Sequence, residues 1–223
     1  MAVQPVSIIV NAGTRVSGLM QRPRRARACL VLAHGAGAGM THPFMTAIAK
    51  ELATRGIATL RYQFPYMERG GKRPDAPPLC HATVRAAVLT AHKLAPKLML
   101  VAGGKSFGGR MTSQAQADSP LPGVRGLALL GFPLHAANKP SGARGEHLAQ
   151  VRIPMLFLQG TRDALADLTL MRRLVRPLGK LATLKVLTGA DHSFHVLVRS
   201  GRTDDAVRDE MADSLATWIA SLT

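Results

Sequence analysis

The chain has 223 residues, 47% of them apolar and 19% charged, which suits a single domain over residues 1–223 with a well-filled core and excludes a disordered chain. No run approaches the roughly 20 apolar residues of a membrane-spanning helix, and the opening MAVQPVSIIVNAGTRVSGLM lacks the basic start and cleavage site of a secretory leader. Lysine and arginine exceed aspartate and glutamate by 29 to 13, a net +16, yet outside RPRRAR at residues 22–27 these cations are scattered, and so few aromatic side chains are present to stack on bases that no nucleic-acid partner is expected.

VSIIV and VSGLM read as a leading antiparallel pair of strands. ACLVLAH, residues 28–34, is a buried strand that ends in the glycine loop GAGAG. Pro43 to Arg55 places Phe44, Ile48 and Leu52 at four-residue steps, a helix closed by Gly56. IATLRYQF is the next strand, residues 65–78 read as a loop, and Ala82 to Leu94 as a helix. LMLVAGG is a third central strand, followed by VRGLALLGF, IPMLFLQG and ATLKVLTG, with a helix near residues 167–175 between the last two. A final helix, about Ala206 to Leu222, aligns Val207, Met211, Leu215 and Trp218 on one face. Alternating strands and helices predict an α/β fold with a mainly parallel central sheet of about seven to eight strands and helices on both faces. The segment from Leu134 to Arg152 suffices for a rim loop and is too short for a cap domain. Cys29 and Cys80 lie in separate elements and read as reduced thiols of a cytoplasmic protein, too few for a metal site.

The chemistry concentrates in GGKSFGGRMTS, residues 103–113. A phosphate loop of the form GxxxxGK[ST] would need glycine where Met99 stands, and bulky LMLVA cannot wrap phosphates. GKSFG instead has the GxSxG spacing of a nucleophile elbow, with Ser106 at the apex of a strand-to-helix turn and the Phe107 amide at the helix start. A serine hydroxyl needs a base, and the base an orienting carboxylate. Asp163 follows IPMLFLQG and His192 follows ATLKVLTG, both at the carboxyl ends of strands, where loops gather in such sheets. Asp167 and His195 are the weaker rivals, the first falling in a helix and the second at the start of a descending helix or loop, and Asp191 reads as a turn residue. GAGAG fails the dinucleotide pattern at Met40 and at His42, so its role is to aim the Ala36 amide, together with that of Phe107, at a substrate oxygen. Lys105 and Arg110 flank the nucleophile and suit an anionic substrate.

HGAGAG, GGKSFGGRM, GFPLH, QGTRD and ADHSF, in that order, resemble the α/β-hydrolase superfamily from Ala28 onwards. More closely they are similar to the small uncapped group related to dienelactone hydrolases that includes the testis-expressed and nonspecific-lethal-complex hydrolase-like proteins. The resemblance implies Ser106, Asp163 and His192 as a triad and His34 beside the oxyanion loop; Lys105 in the elbow is typical of the group, whereas GTRDALAD departs from the expected acid loop. His34 and Lys105 are expected to bind substrate. The expected function is hydrolysis of a small ester or thioester through an acyl-enzyme, without a cofactor. The alternative is a non-catalytic interaction protein on the same fold.

Overall fold

The computed structural model describes residues 2–222. One eight-stranded sheet runs through them in the order β1-β2-β4-β3-β5-β6-β7-β8, with β1 Val3–Asn11, β2 Thr14–Gln21, β3 Ala28–Ala33, β4 Ile57–Tyr62, β5 Met99–Lys105, β6 Val124–Leu130, β7 Met155–Gly160 and β8 Ala182–Leu187. β1, β2 and β4 pair antiparallel, and every pairing from β4 to β8 is parallel. The central strands are apolar throughout because both faces are covered: all six residues of β3, β4 and β7 are buried.

The helices are α1 Pro43–Thr54, α2 Pro65–Glu68, α3 Pro77–Leu94, α4 Phe107–Asp118, α5 Leu168–Val175 and α6 Asp204–Ala220. Apolar side chains of α3, α4 and α5, among them Val84, Met111 and Met171, fill one side of the sheet, and those of α1 and α6, among them Ile48 and Leu215, the other. The local signals that set these helices are mostly short range. Pro43 opens α1 behind the His42 side chain, which accepts from the Phe44 amide, and Thr203 caps α6 by accepting from the Ala206 amide ahead of Asp204 and Asp205.

Two expectations are corrected here. Residues 65–78 are not all loop, since Pro65–Glu68 forms a helical turn, and α3 starts at Pro77 rather than Ala82. In both, proline sits in the first helical turn, where its missing N–H has no intrahelical partner to lose. The rim segment carries no cap: it contains a 3-10 turn at Ala143–Gln150, anchored by buried Leu148 and by Gly145, whose absent side chain makes room for Leu174.

From β3 the chain steps through α1 to β4 on one side, then crosses through α3 to β5 on the other. The order reverses between the carboxyl ends of β3 and β5, the crevice where open α/β sheets receive ligands.

Candidate active site

Ser106 stands at that reversal, between the end of β5 and the first residue of α4. Its backbone has φ 49° and ψ −116°, a region costing a side-chain-bearing residue on the order of 1–3 kcal/mol. The surroundings hold it there: the Ser106 amide donates to Leu130 O at 2.9 Å and the Arg110 amide to Ser106 O at 3.1 Å. The flanking glycines permit the turn. A Cβ on Gly103 would lie 1.9 Å from Ala128 O, and one on Gly104 2.6 Å from Ala33 O.

The hydroxyl of Ser106 is 2.8 Å from His192 Nε2. On the other side of the ring, His192 Nδ1 lies 2.8 and 3.0 Å from the Asp163 carboxylate oxygens. With Nδ1–H donating to the acid, Nε2 is free to accept the serine proton. Asp163 has a fully buried side chain and receives two further donors, the Leu165 amide at 2.8 Å and the Gln159 side-chain amide at 2.5 Å. Three residues from three separate loops thus form one hydrogen-bonded relay.

The rivals are placed elsewhere. Asp167 caps α5 by accepting from the Leu170 amide, while its own N–H donates to His135 Nε2. His195 pairs with Asp204 on the surface. Asp191 accepts from the Ser193 and His195 amides, closing the turn that carries His192. A second serine–histidine contact exists, Ser113 Oγ to His147 Nε2 at 2.8 Å. Ser113 is wholly buried and its hydroxyl also lies 3.0 Å from Arg110 O; among the described residues no carboxylate bonds His147, so this pair braces α4. Burial pushes the Cys29 and Cys80 thiols up to about 12, so neither competes as a nucleophile.

The Ala36 and Phe107 amides have no acceptor among the described residues. Phe107 is the first residue of α4, where the amide points out of the helix along its dipole. The glycine loop is fixed by residues that spacing alone does not reveal. Tyr66 Oη accepts from the Gly37 amide at 3.1 Å, Gln63 Oε1 accepts from the Met40 amide at 2.8 Å, and the buried Arg61 guanidinium donates to Met40 O at 3.1 Å.

His34 adjoins the glycine loop and Lys105 the cleft, and the polar end of each meets a backbone carbonyl. His34 is fully buried. Its Nε2 accepts from the Phe64 amide at 3.1 Å, which makes Nδ1 the protonated nitrogen, donating to Gly35 O at 2.7 Å. Burial pushes it down to about 4 against the raising effect of that carbonyl, so it is a neutral strut beneath the glycine loop. The stem of Lys105 borders the cleft, but its ammonium turns to His192 O at 2.5 Å and lies over the Phe194 ring. A cleft of about 400 Å³ surrounds Ser106, walled by Ala36, Ala38, Phe44, Met45 and Leu165 together with His42, Lys105 and Ser193; among the described residues Arg110 does not line it. Among the described residues, no three His, Cys, Asp or Glu side chains gather as a metal site, and no helix is long and apolar enough to cross a membrane.

Residues 26–220 match the family model of the alpha/beta hydrolase domain, and the chain belongs to that family. Solved structures share the fold at low identity. A dienelactone hydrolase from Anabaena variabilis is 20% identical over 99% of this chain and 97% of its own, with a TM-score of 0.77. A serine hydrolase without a lid from Xanthomonas campestris is 18% identical over 97% and 94%, TM-score 0.76. An alpha-beta serine hydrolase homologue from Coxiella burnetii is 20% identical over 96% and 98%, TM-score 0.76.

Proposed function

We propose that the protein is a serine hydrolase of small esters or thioesters. The observation that carries the reading is the relay Ser106–His192–Asp163, with both of its links at 2.8 Å. In this mechanism His192 Nε2 takes the Ser106 proton as Oγ bonds to the substrate carbonyl carbon. The Ala36 and Phe107 amides receive the developing oxyanion, an interaction worth roughly 3–4 kcal/mol per donor in sites of this kind. The C–O or C–S bond to the leaving group then breaks as His192 returns the proton to it. Water, deprotonated by His192, attacks the acyl-enzyme and frees Ser106. Asp163 keeps the ring in the required tautomer throughout.

The apolar walls and the uncapped rim favour a short acyl group. Any advantage of an anionic substrate comes from the long-range field of the +16 charge, since Lys105 is engaged elsewhere. Two buried free thiols fit a reducing compartment such as the cytoplasm.

The test is a fluorophosphonate probe, which reports an activated serine. Single labelling at Ser106, lost in Ser106→Ala, is the expected result. A folded native protein that stays unlabelled would replace this reading with that of a non-catalytic interaction protein.

A further inference from the structure

The end of the Lys105 side chain occupies a built niche. Its Nζ would lie 3.0 Å from a Cβ on Gly131, and His192 O and the Phe194 ring lie 3.5 Å from the same point, so any larger residue at 131 would fill the space. Gly131, just past the end of β6, is itself held at φ 63°, a backbone that favours glycine. On the facing side the turn after β8 is tight: Asp191 N–H donates to His195 O, the Phe194 amide to Asp191 O, and Phe194 sits at φ 66° with its ring stacked on Phe44 at 5.5 Å. Lys105 precedes Ser106 in the chain, so one side chain bridges the elbow to the loop of its base 87 residues away.

We propose that Lys105 is a positioning residue that docks the His192 turn onto the nucleophile elbow through the His192 carbonyl. The consequence for activity rests on the hydrolase reading above; the docking itself does not. The contact has an ammonium donor and is therefore charge-assisted, stronger than a neutral bond, and the cation also faces the Phe194 ring. Both features vanish when the amine is neutral. Burial pushes Lys105 down to about 8, opposed by the Asp163 carboxylate beyond β7 and the Asp191 carboxylate in the turn; the titratable residue it touches is His192. Below pH 8 the ammonium is charged and the dock is closed. As pH rises through 8 the charge is lost and the turn loosens.

Lys105→Met keeps the stem and removes the donor, and Lys105→Arg keeps a cation that does not titrate. For a short-acyl ester, Lys105→Met should lower kcat by roughly 10–100-fold, as expected for losing a charged hydrogen bond, with KM nearly unchanged. The native alkaline fall in kcat centred near 8 should disappear in Lys105→Met and move upward in Lys105→Arg, which should recover part of the lost rate. Hydrogen exchange of residues 188–197, corrected for intrinsic rate, should quicken about tenfold in Lys105→Met, and in the native protein between about pH 7 and 9, with the central strands unaffected. A folded Lys105→Met with native kcat and native protection of the turn overturns the proposal. So does a native turn whose protection ignores pH, a measurement that needs no variant. An inert native protein would sink the hydrolase reading alone, and the exchange rates would still decide the docking.

Discussion

The carbonyl oxygen of His34 stands 2.5 Å from the point where a Cβ on Gly108 would lie, with Ala33 Cβ and Ala33 O each at 2.7 Å. All three atoms belong to the chain leaving β3 or to its short side chain, and none can swing aside. Gly108→Ala must therefore push α4 off the end of β3, at about 3 kcal/mol, the upper end of the usual cost of overpacking. The loss in melting temperature should be roughly 6–12 °C for a chain of this size. Gly142→Ala is the control, because nothing lies within 4 Å of its Cβ position and its φ is −93°. It should stay within about 0.5 kcal/mol of the native protein. Equal melting of the two variants would contradict the close approach.

The environment of Asp163 makes a second prediction. His192, Leu165 and Gln159 all aim N–H donors at its two oxygens. Asparagine offers one oxygen and one NH₂, so Asp163→Asn sets donor against donor and drives His192 toward the wrong tautomer. Turnover should fall by roughly 10³ to 10⁴, and His192→Ala by several orders of magnitude. Asp167→Asn keeps its helix cap and should be nearly silent, as should His195→Ala at the surface. Steady-state kinetics on a short ester checks all four; a damaging Asp167→Asn would move the acid.

Acid should unfold the protein partly through His34. Its folded pKa, about 4, lies below the ordinary 6.5, so the unfolded chain binds the extra proton. Stability is therefore full above about 6.5 and falls as pH drops toward 4, by on the order of 3 kcal/mol from this residue. Protonated Nε2 would meet the Phe64 amide donor to donor. Urea midpoints at about pH 7 and 4.5 should differ, and His34→Gln, though less stable at neutral pH, should show a smaller acid loss. An unchanged acid slope in His34→Gln would refute this account.

Substrate preference should follow from the cleft. With no cap to complete an apolar tunnel, short acyl esters should be turned over best and no activation should appear at a lipid interface. Rates rising with chain length and jumping at the micelle threshold would contradict this. For a matched anionic ester, kcat/KM should fall with salt as the Debye length shrinks from about 10 Å at 0.1 M to about 3 Å at 1 M, while the neutral ester stays flat. Parallel curves would separate the surface charge from substrate choice.

The strands and the order of the candidate site residues are readable in the sequence because buried parallel strands are apolar runs and each candidate follows one directly. Asp163 and Asp167 were separable for the same reason, the second falling at a helix cap. Direction was not readable. Lys105 and His34 adjoin the site in the chain, yet one turns its charge to a backbone carbonyl and the other into the core, and nothing in their spacing says so. Gln159, Gly131 and Tyr66 act through contacts made across the sheet end, which one-dimensional pattern does not carry. The early start of α3 is marked by the paired prolines at 77 and 78, because proline suits the first turn of a helix as well as a loop.

β8 is the last strand of the sheet, paired on one side only, and five of its six residues keep some exposure. His192 hangs from this strand, while Ser106 is rooted at the middle of the sheet. Edge elements open locally at lower free energy than central ones. On warming, His192 should part from Ser106 before the sheet melts, so that on the hydrolase reading heat inactivation is a local, reversible event that precedes the loss of circular dichroism, at a temperature set by the edge of the sheet.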